Sequence, residues 1–178
     1  MASPFELPMG TPLHWAAFAR NTSAMEVLLE LGADINATYH NSDAATTPLG
    51  LACWYGDAVI VRYLLAHGAD GKVKDARGRN TLHMMSFHQP EHHGHLRQAW
   101  HYWIRHGRWD EHLQQMTELV GSLIQGGASI EDRDGVYPRT TPVVRASEGG
   151  VWNGGAVCAL IAAGADVDGP RGASKDTG

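Results

Sequence analysis

Six of the chain's eleven histidines, and three of its six tryptophans, fall in one stretch of 26 residues, QPEHHGHLRQAWHYWIRHGRWDEHLQ, from Gln89 to Gln114. His88, His92, His93 and His95 crowd into eight residues. Imidazole is the commonest zinc ligand and titrates near pH 6.5 (about half a unit below neutrality), so this cluster has the residue types for a metal- or proton-responsive loop. The pattern around it argues otherwise. There is no HExxH, no cysteine lies nearby, and Glu91 is the lone carboxylate inside the cluster. A run of histidines without i, i+4 spacing also lacks the geometry that lets one helix face preorganise a coordination sphere. A polar, solvated loop is the plain expectation, with metal or pH-responsive binding through His88, His92, His93 and His95 as the alternative.

Catalytic chemistry has less to stand on. The chain contains no GxSxG, no P-loop, no glycine-rich dinucleotide turn and no CxxC. Its aspartates and glutamates are scattered, or sit in Gly-Ala-Asp segments where a carboxylate serves a turn. No nucleophile, catalytic site or cofactor is expected. With a hydrophobic content of 43% and a formal charge of -5, the chain reads as globular and offers no electrostatic footprint for nucleic acid or an acidic membrane. Cys53 and Cys158 stand far apart, each in an apolar helical pattern, and are expected as buried thiols in a reducing compartment. The opening MASPFELPMG has neither a basic nor an apolar leader region, and no run of 18 apolar residues occurs, so the expected location is cytoplasmic or nuclear.

Elements able to position any of these residues must come from the periodicity. Four segments align: TPLHWAA at Thr11, TPLGLAC at Thr47, NTLHMMS at Asn80 and TPVVRAS at Thr141. Each leads to an apolar stretch that ends at a glycine, Gly32, Gly68, Gly127 or Gly164. A threonine hydroxyl can cap a helix, proline at the next position pre-sets φ, and glycine supplies the left-handed residue at a helix end. The unit is therefore an opening turn, two helices and a stop. From about Thr11 to Asp168 this pattern resembles the ankyrin repeat family, whose unit is about 33 residues.

The resemblance implies an all-α solenoid of stacked helix pairs joined by β-hairpin-like loops. An ankyrin repeat domain over residues 1–168, with repeats at about 11–46, 47–79, 80–140 and 141–168, is followed by a polar tail, 169–178, expected to be disordered. Departures from the family pattern are as informative. The spacing from opening residue to closing glycine is 21 residues in the first two repeats, 47 in the third and 23 in the fourth. The extra length in the third is the His/Trp stretch, 89–114, between its two helices. Leu96, Trp100, Trp103 and Ile104 form one apolar stripe, and Trp109, Leu113, Met116, Val120, Leu123 and Ile124 form another. A short helix over about 95–106 and a long one over about 110–125, capped by Asp110, are predicted. Gly149, Gly150, Gly154 and Gly155 predict a loose loop in the fourth repeat. Arg145, in the position of Trp15, Leu51 and Met84, suits a terminal repeat facing solvent. His14 and His83 keep the histidine that, in the family, bridges neighbouring turns, whereas Gly50 and Val144 replace it.

By the same resemblance, function lies on the hairpin tips and the inner edge of the first helices. Phe18, Trp54, Tyr55 and Phe87 follow the small residues of those helices and form an expected binding row. Tyr39, His40, Arg77, Arg79, Tyr137 and Arg139 are the expected tip residues. The resemblance implies a non-enzymatic protein-interaction module, a scaffold, adaptor or regulatory segment. Its expected partner is another protein or a peptide, acidic or extended, and the chain itself a monomer or part of a longer repeat array, without nucleic acid or membrane binding.

Overall fold

The computed structural model describes residues 10–41, 44–85, 107–135, 139–148 and 154–167. The first part of the His/Trp stretch and the polar tail lie outside them. Eight helices are described: α1 (Pro12–Phe18), α2 (Thr22–Glu30), α3 (Pro48–Trp54), α4 (Ala58–Ala66), α5 (Thr81–Met85), α6 (Trp109–Gln125), α7 (Pro142–Glu148) and α8 (Gly154–Ala162). Between α2 and α3 stands a hairpin of β1 (Tyr39–Asn41) and β2 (Ala44–Thr46), antiparallel, with Tyr39 opposite Thr46. This is the only sheet among the described residues.

Each pair closes in the same way. Gly32, Gly68, Gly127 and Gly164 have φ between 85° and 98°, and the following alanine donates its N–H to the carbonyl five residues back, as Ala33 does to Leu28. Left-handed backbone of this kind costs an L side chain energy and glycine almost none. Turns within the pairs follow a similar rule, with one exception. Gly56 has φ 64°, but the equivalent residue in the first repeat is Arg20, at φ 56°. Its guanidinium pairs at 2.7 Å with Asp57, the residue whose carboxylate caps α4. One repeat thereby holds the start of the next one's second helix.

Stacking puts α1, α3, α5 and α7 in one row and α4, α6 and α8 in a second. The core runs between the rows through Leu13, Met25, Leu49, Ile60, Leu64, Leu82, Leu119, Leu123, Val143, Ala159 and Leu160. A repeat of this size cannot bury its apolar face alone, so the neighbour completes it. His14 and His83 tie successive repeats together along the row of first helices. His14 bonds the Thr11 hydroxyl through Nδ1 at 2.9 Å and the Thr46 carbonyl through Nε2 at 3.2 Å; His83 reaches the Thr140 carbonyl at 2.9 Å. At Gly50, where the family histidine is missing, Thr46 and Met84 crowd the position: a Cβ there would lie 2.5 Å from the Thr46 hydroxyl oxygen and 3.0 Å from the Met84 sulfur. The second repeat replaces a polar bridge with packing, and α3 is buried from Pro48 to Cys53.

Several expectations require correction. α6 starts one residue early, at Trp109, with Arg108 at the cap position and no side-chain cap bond; Asp110 and Glu111 lie in its first turn. Their charge favours the positive end of the helix dipole without capping it. Cys53 is buried, and burial pushes its thiol well above the ordinary value, but Cys158 is exposed on α8. Gly154 and Gly155, expected in a loose loop, are the first residues of α8. They are small because α6 presses on them: a Cβ at Gly155 would lie 2.8 Å from His112 Nε2. Arg145 does not simply face solvent. It folds back on the buried Asp134, and its other arm meets Glu148 at 2.7 Å.

Candidate partner-binding face

The aromatic residues that follow the small pairs do converge. Phe18 and Trp15 are three apart on α1, which sets them on one face, with ring centroids 6.3 Å apart and nearly perpendicular planes at 89°. Phe18 then meets Tyr55, at the end of α3, edge to face at 5.2 Å. Such edge-to-face pairs add about 0.5–1.5 kcal/mol beyond area burial, which also stiffens the rings. Burial raises the Tyr55 phenol above its ordinary value, so it stays neutral at physiological pH. Trp54, next along the chain, is 36% exposed.

Beneath Trp54 the Arg79 guanidinium lies 5.5 Å from the ring centroid. Arg79 is a correction to the expected tip residues: it is buried, 4% exposed. The reason is local. Asp75 Oδ1 accepts the backbone N–H groups of Arg77 and Arg79, both at 2.9 Å, which turns its carboxylate inward; Oδ2 then takes Arg79 Nε at 2.5 Å. With its charge matched by Asp75, Arg79 props the tryptophan from below. A buried pair of this kind costs desolvation and is weak evidence for stability, but it holds geometry.

Other expected residues separate. Tyr39, half-buried on β1, faces His14 edge to face at 6.4 Å rather than joining the aromatic run. His40 pairs with Ala45 in the hairpin. Arg77 is exposed at the second tip, and its carbonyl accepts the Gly135 N–H at 2.7 Å, joining that tip to the third. Arg139 is exposed on the third tip. Phe87 and Tyr137 lie outside the described residues, as do His88, His92, His93 and His95. No group of three or more metal-ligating side chains occurs among the described residues. Trp15 is the member that the binding row omitted. Its i, i+3 spacing to Phe18 was the available signal.

The tips are tied by a ladder of side chains to backbone. Asn36 accepts the Asp70 N–H at 2.9 Å, and Glu131 accepts that of Asp166 at 2.9 Å. Asn80 Nδ2 donates to the Ser129 carbonyl at 2.7 Å, and Lys74 pairs with Asp132 at 2.9 Å. The aromatic face thus rests on repeats fixed relative to one another. No described helix is long and apolar enough to cross a membrane.

Two family models match the sequence: "Ankyrin repeat" over residues 10–39 and "Ankyrin repeats (many copies)" over residues 38–84. Among curated proteins, a palmitoyltransferase AKR1 from Lachancea kluyveri is 42% identical over 72 residues, 40% of this chain and 10% of that protein. Zygote-specific protein 3 from Chlamydomonas reinhardtii is 45% identical over 70 residues, 39% of this chain and 18% of that protein. Ankyrin repeat protein nuc-2 from Neurospora crassa is 31% identical over 156 residues, 88% of this chain and 12% of that protein. The chain thus spans less than a fifth of the length of these relatives.

Proposed function

Because this chain belongs to the ankyrin repeat family, whose members bind other proteins, we propose that it is a non-enzymatic interaction module that takes an acidic, extended peptide segment of a partner protein across its first two repeats. One observation carries the proposal. Trp15, Phe18, Tyr55 and Trp54 make an aromatic run that crosses from the first repeat to the second, with Trp54 partly exposed above a charge-matched Arg79. Large, stiff aromatic side chains are the residues that most often dominate binding energy. Exposed Arg77 and Arg139 on the neighbouring tips supply positive charge that favours an acidic segment and speeds its encounter. A scaffold or adaptor role within a longer repeat array, in cytoplasm or nucleus, accords with the free thiols of Cys53 and Cys158. The name of the palmitoyltransferase relative belongs to a protein of which the match covers only 10%, and that activity is not carried over.

The proposal is tested by selecting peptides from a displayed library against the chain and measuring the winners by calorimetry. Trp54→Ala with Tyr55→Ala should weaken binding at least tenfold, about 1.4 kcal/mol or more, while the helical circular dichroism signal stays. Arg77→Glu should weaken acidic peptides more than neutral ones. Peptides that bind the double variant as tightly as wild type would overturn the proposal.

A further inference from the structure

We propose that copies of this chain stack head to tail, the outer edge of α2 in one copy receiving the outer edge of α8 in the next. The edges are defined by what their counterparts do inside the array. Counted back from the closing glycine, Leu31 is the first residue and Val27 the fifth; the same positions hold His67 and Tyr63 in the second repeat, and Gly126 and Ser122 in the third. Those positions face the preceding repeat. A Cβ at Gly126 would lie 2.8 Å from Leu65 of α4, and the phenol of Tyr63 is raised by burial and by the charges of Glu26 and Glu30 on α2. Glu118, ninth from its glycine, pairs with Arg62 of α4 at 2.9 Å. The side that receives a following repeat is therefore marked by the third and sixth positions, Leu65 and Arg62 in α4, which in α8 are Ile161 and Cys158.

Both outward edges are apolar and open. Leu31 is 80% exposed, Val27 53% and Ile161 43%, and Cys158 and Val167 are exposed as well. Val167, third after its glycine, corresponds to Ile35 and Ile130, which pack against the core. A hydrogen-bond donor also stands open in the first repeat. In the second and fourth repeats the N–H of the aspartate two residues after the closing glycine is accepted by a side chain of the preceding repeat: Asp70 by Asn36 and Asp166 by Glu131, both at 2.9 Å. The equivalent Asp34 N–H finds no acceptor among the described residues.

Polarity selects the occupant. Inside the array α4 meets α6 through Arg62 and Glu118, and the edge that α2 turns to α4 carries Glu26 and Glu30. α8, GGAVCALIA, has no charged residue, and Ser23, Val27 and Leu31 put none on the outer edge of α2. Covering one uncharged edge with the other leaves no charge unpaired, whereas either would strand a charge if laid on an internal edge. The contact continues the stacking by which each repeat covers its neighbour's apolar side. It joins two different edges, so growth does not stop at two copies. The aromatic run on α1 and α3 takes no part, and peptide binding and stacking are read separately.

The test is sedimentation velocity of the full chain in reducing buffer from about 10 µM to 1 mM, the range expected of a small interface. The weight-average mass should rise from that of one chain and pass that of two. Leu31→Lys and Ile161→Lys, both at exposed positions, should each stay single with unchanged helical circular dichroism. Their equimolar mixture should form pairs and stop there, since each variant keeps the edge that the other has lost. Wild type that stays single throughout overturns the proposal, and faster exchange of α2 amides on removal of residues 1–9 would then assign the edge to that segment. Association of Ile161→Lys at the wild-type level, or a mixture that stays single, also overturns it, because either result excludes an α8 edge seated on an α2 edge.

Discussion

At the scale of the residue, Asp134 is a carboxylate held on several sides. It is 1% exposed and accepts the Thr140 N–H at 3.0 Å, the Thr140 hydroxyl at 3.1 Å and the Arg145 guanidinium. Burial alone would raise its pKa, but these donors outweigh that and hold it below the ordinary carboxylate value. Asp134→Ala leaves Thr140 and Arg145 without their acceptor, so urea unfolding should register a loss of about 2 to 3 kcal/mol. The sign of the pH effect follows from the lowered value. Wild-type stability from this group is full above about pH 3.9 and is lost below it, and the variant should lack that acid-side slope. None of this was legible beforehand. Asp134 was one of the scattered carboxylates, and Arg145 looked like a solvent-facing substitution, because only the fold brings these residues, eleven apart, together. Arg79 was misplaced for a related reason: exposure at a tip depends on where Asp75 turns, which periodicity does not reveal.

At the scale of the element, local rules carried far. Helix pairs, their closing glycines and the start of the long helix within one residue all followed from period, proline and glycine positions, since those signals act over a few residues. What failed was the reading of small residues. Gly154 and Gly155 looked like loop formers, yet they open a helix because a neighbouring helix needs their missing side chains. α6 offers a direct contrast. Leu123 is fully buried between the rows, whereas Asp110 is exposed in the first turn. Leu123→Asp places an unpaired carboxylate in the core, at a cost comparable with the total stability of a domain, and should abolish the cooperative thermal transition. Asp110→Ala removes only a dipole interaction of about 0.3–1 kcal/mol and should shift the melt by a few degrees at most. Circular dichroism melts of the two variants side by side check both outcomes.

At the scale of the whole molecule, the account is of stacked pairs whose first helices present an aromatic run and whose tips present exposed arginines. That Phe18 and Tyr55 come together was legible, because a repeat fixes which positions share an edge; it was not legible that Arg79, at the end of the second repeat, lies against the Trp54 ring. The deeper segregation is one of roles. Charges that look available, on Asp75, Arg79, Asp134 and Arg145, are spent on holding turns, which leaves the rings near the surface as the proposed contact. The most direct measurement is amide chemical-shift mapping of the labelled chain with a selected acidic peptide. The account predicts that the largest shifts cluster at Trp15, Phe18, Trp54, Tyr55 and Arg77. Shifts concentrated instead on the outer faces of α2 and α4, around Glu26, Glu30 and Arg62, with the aromatic run silent, would contradict it.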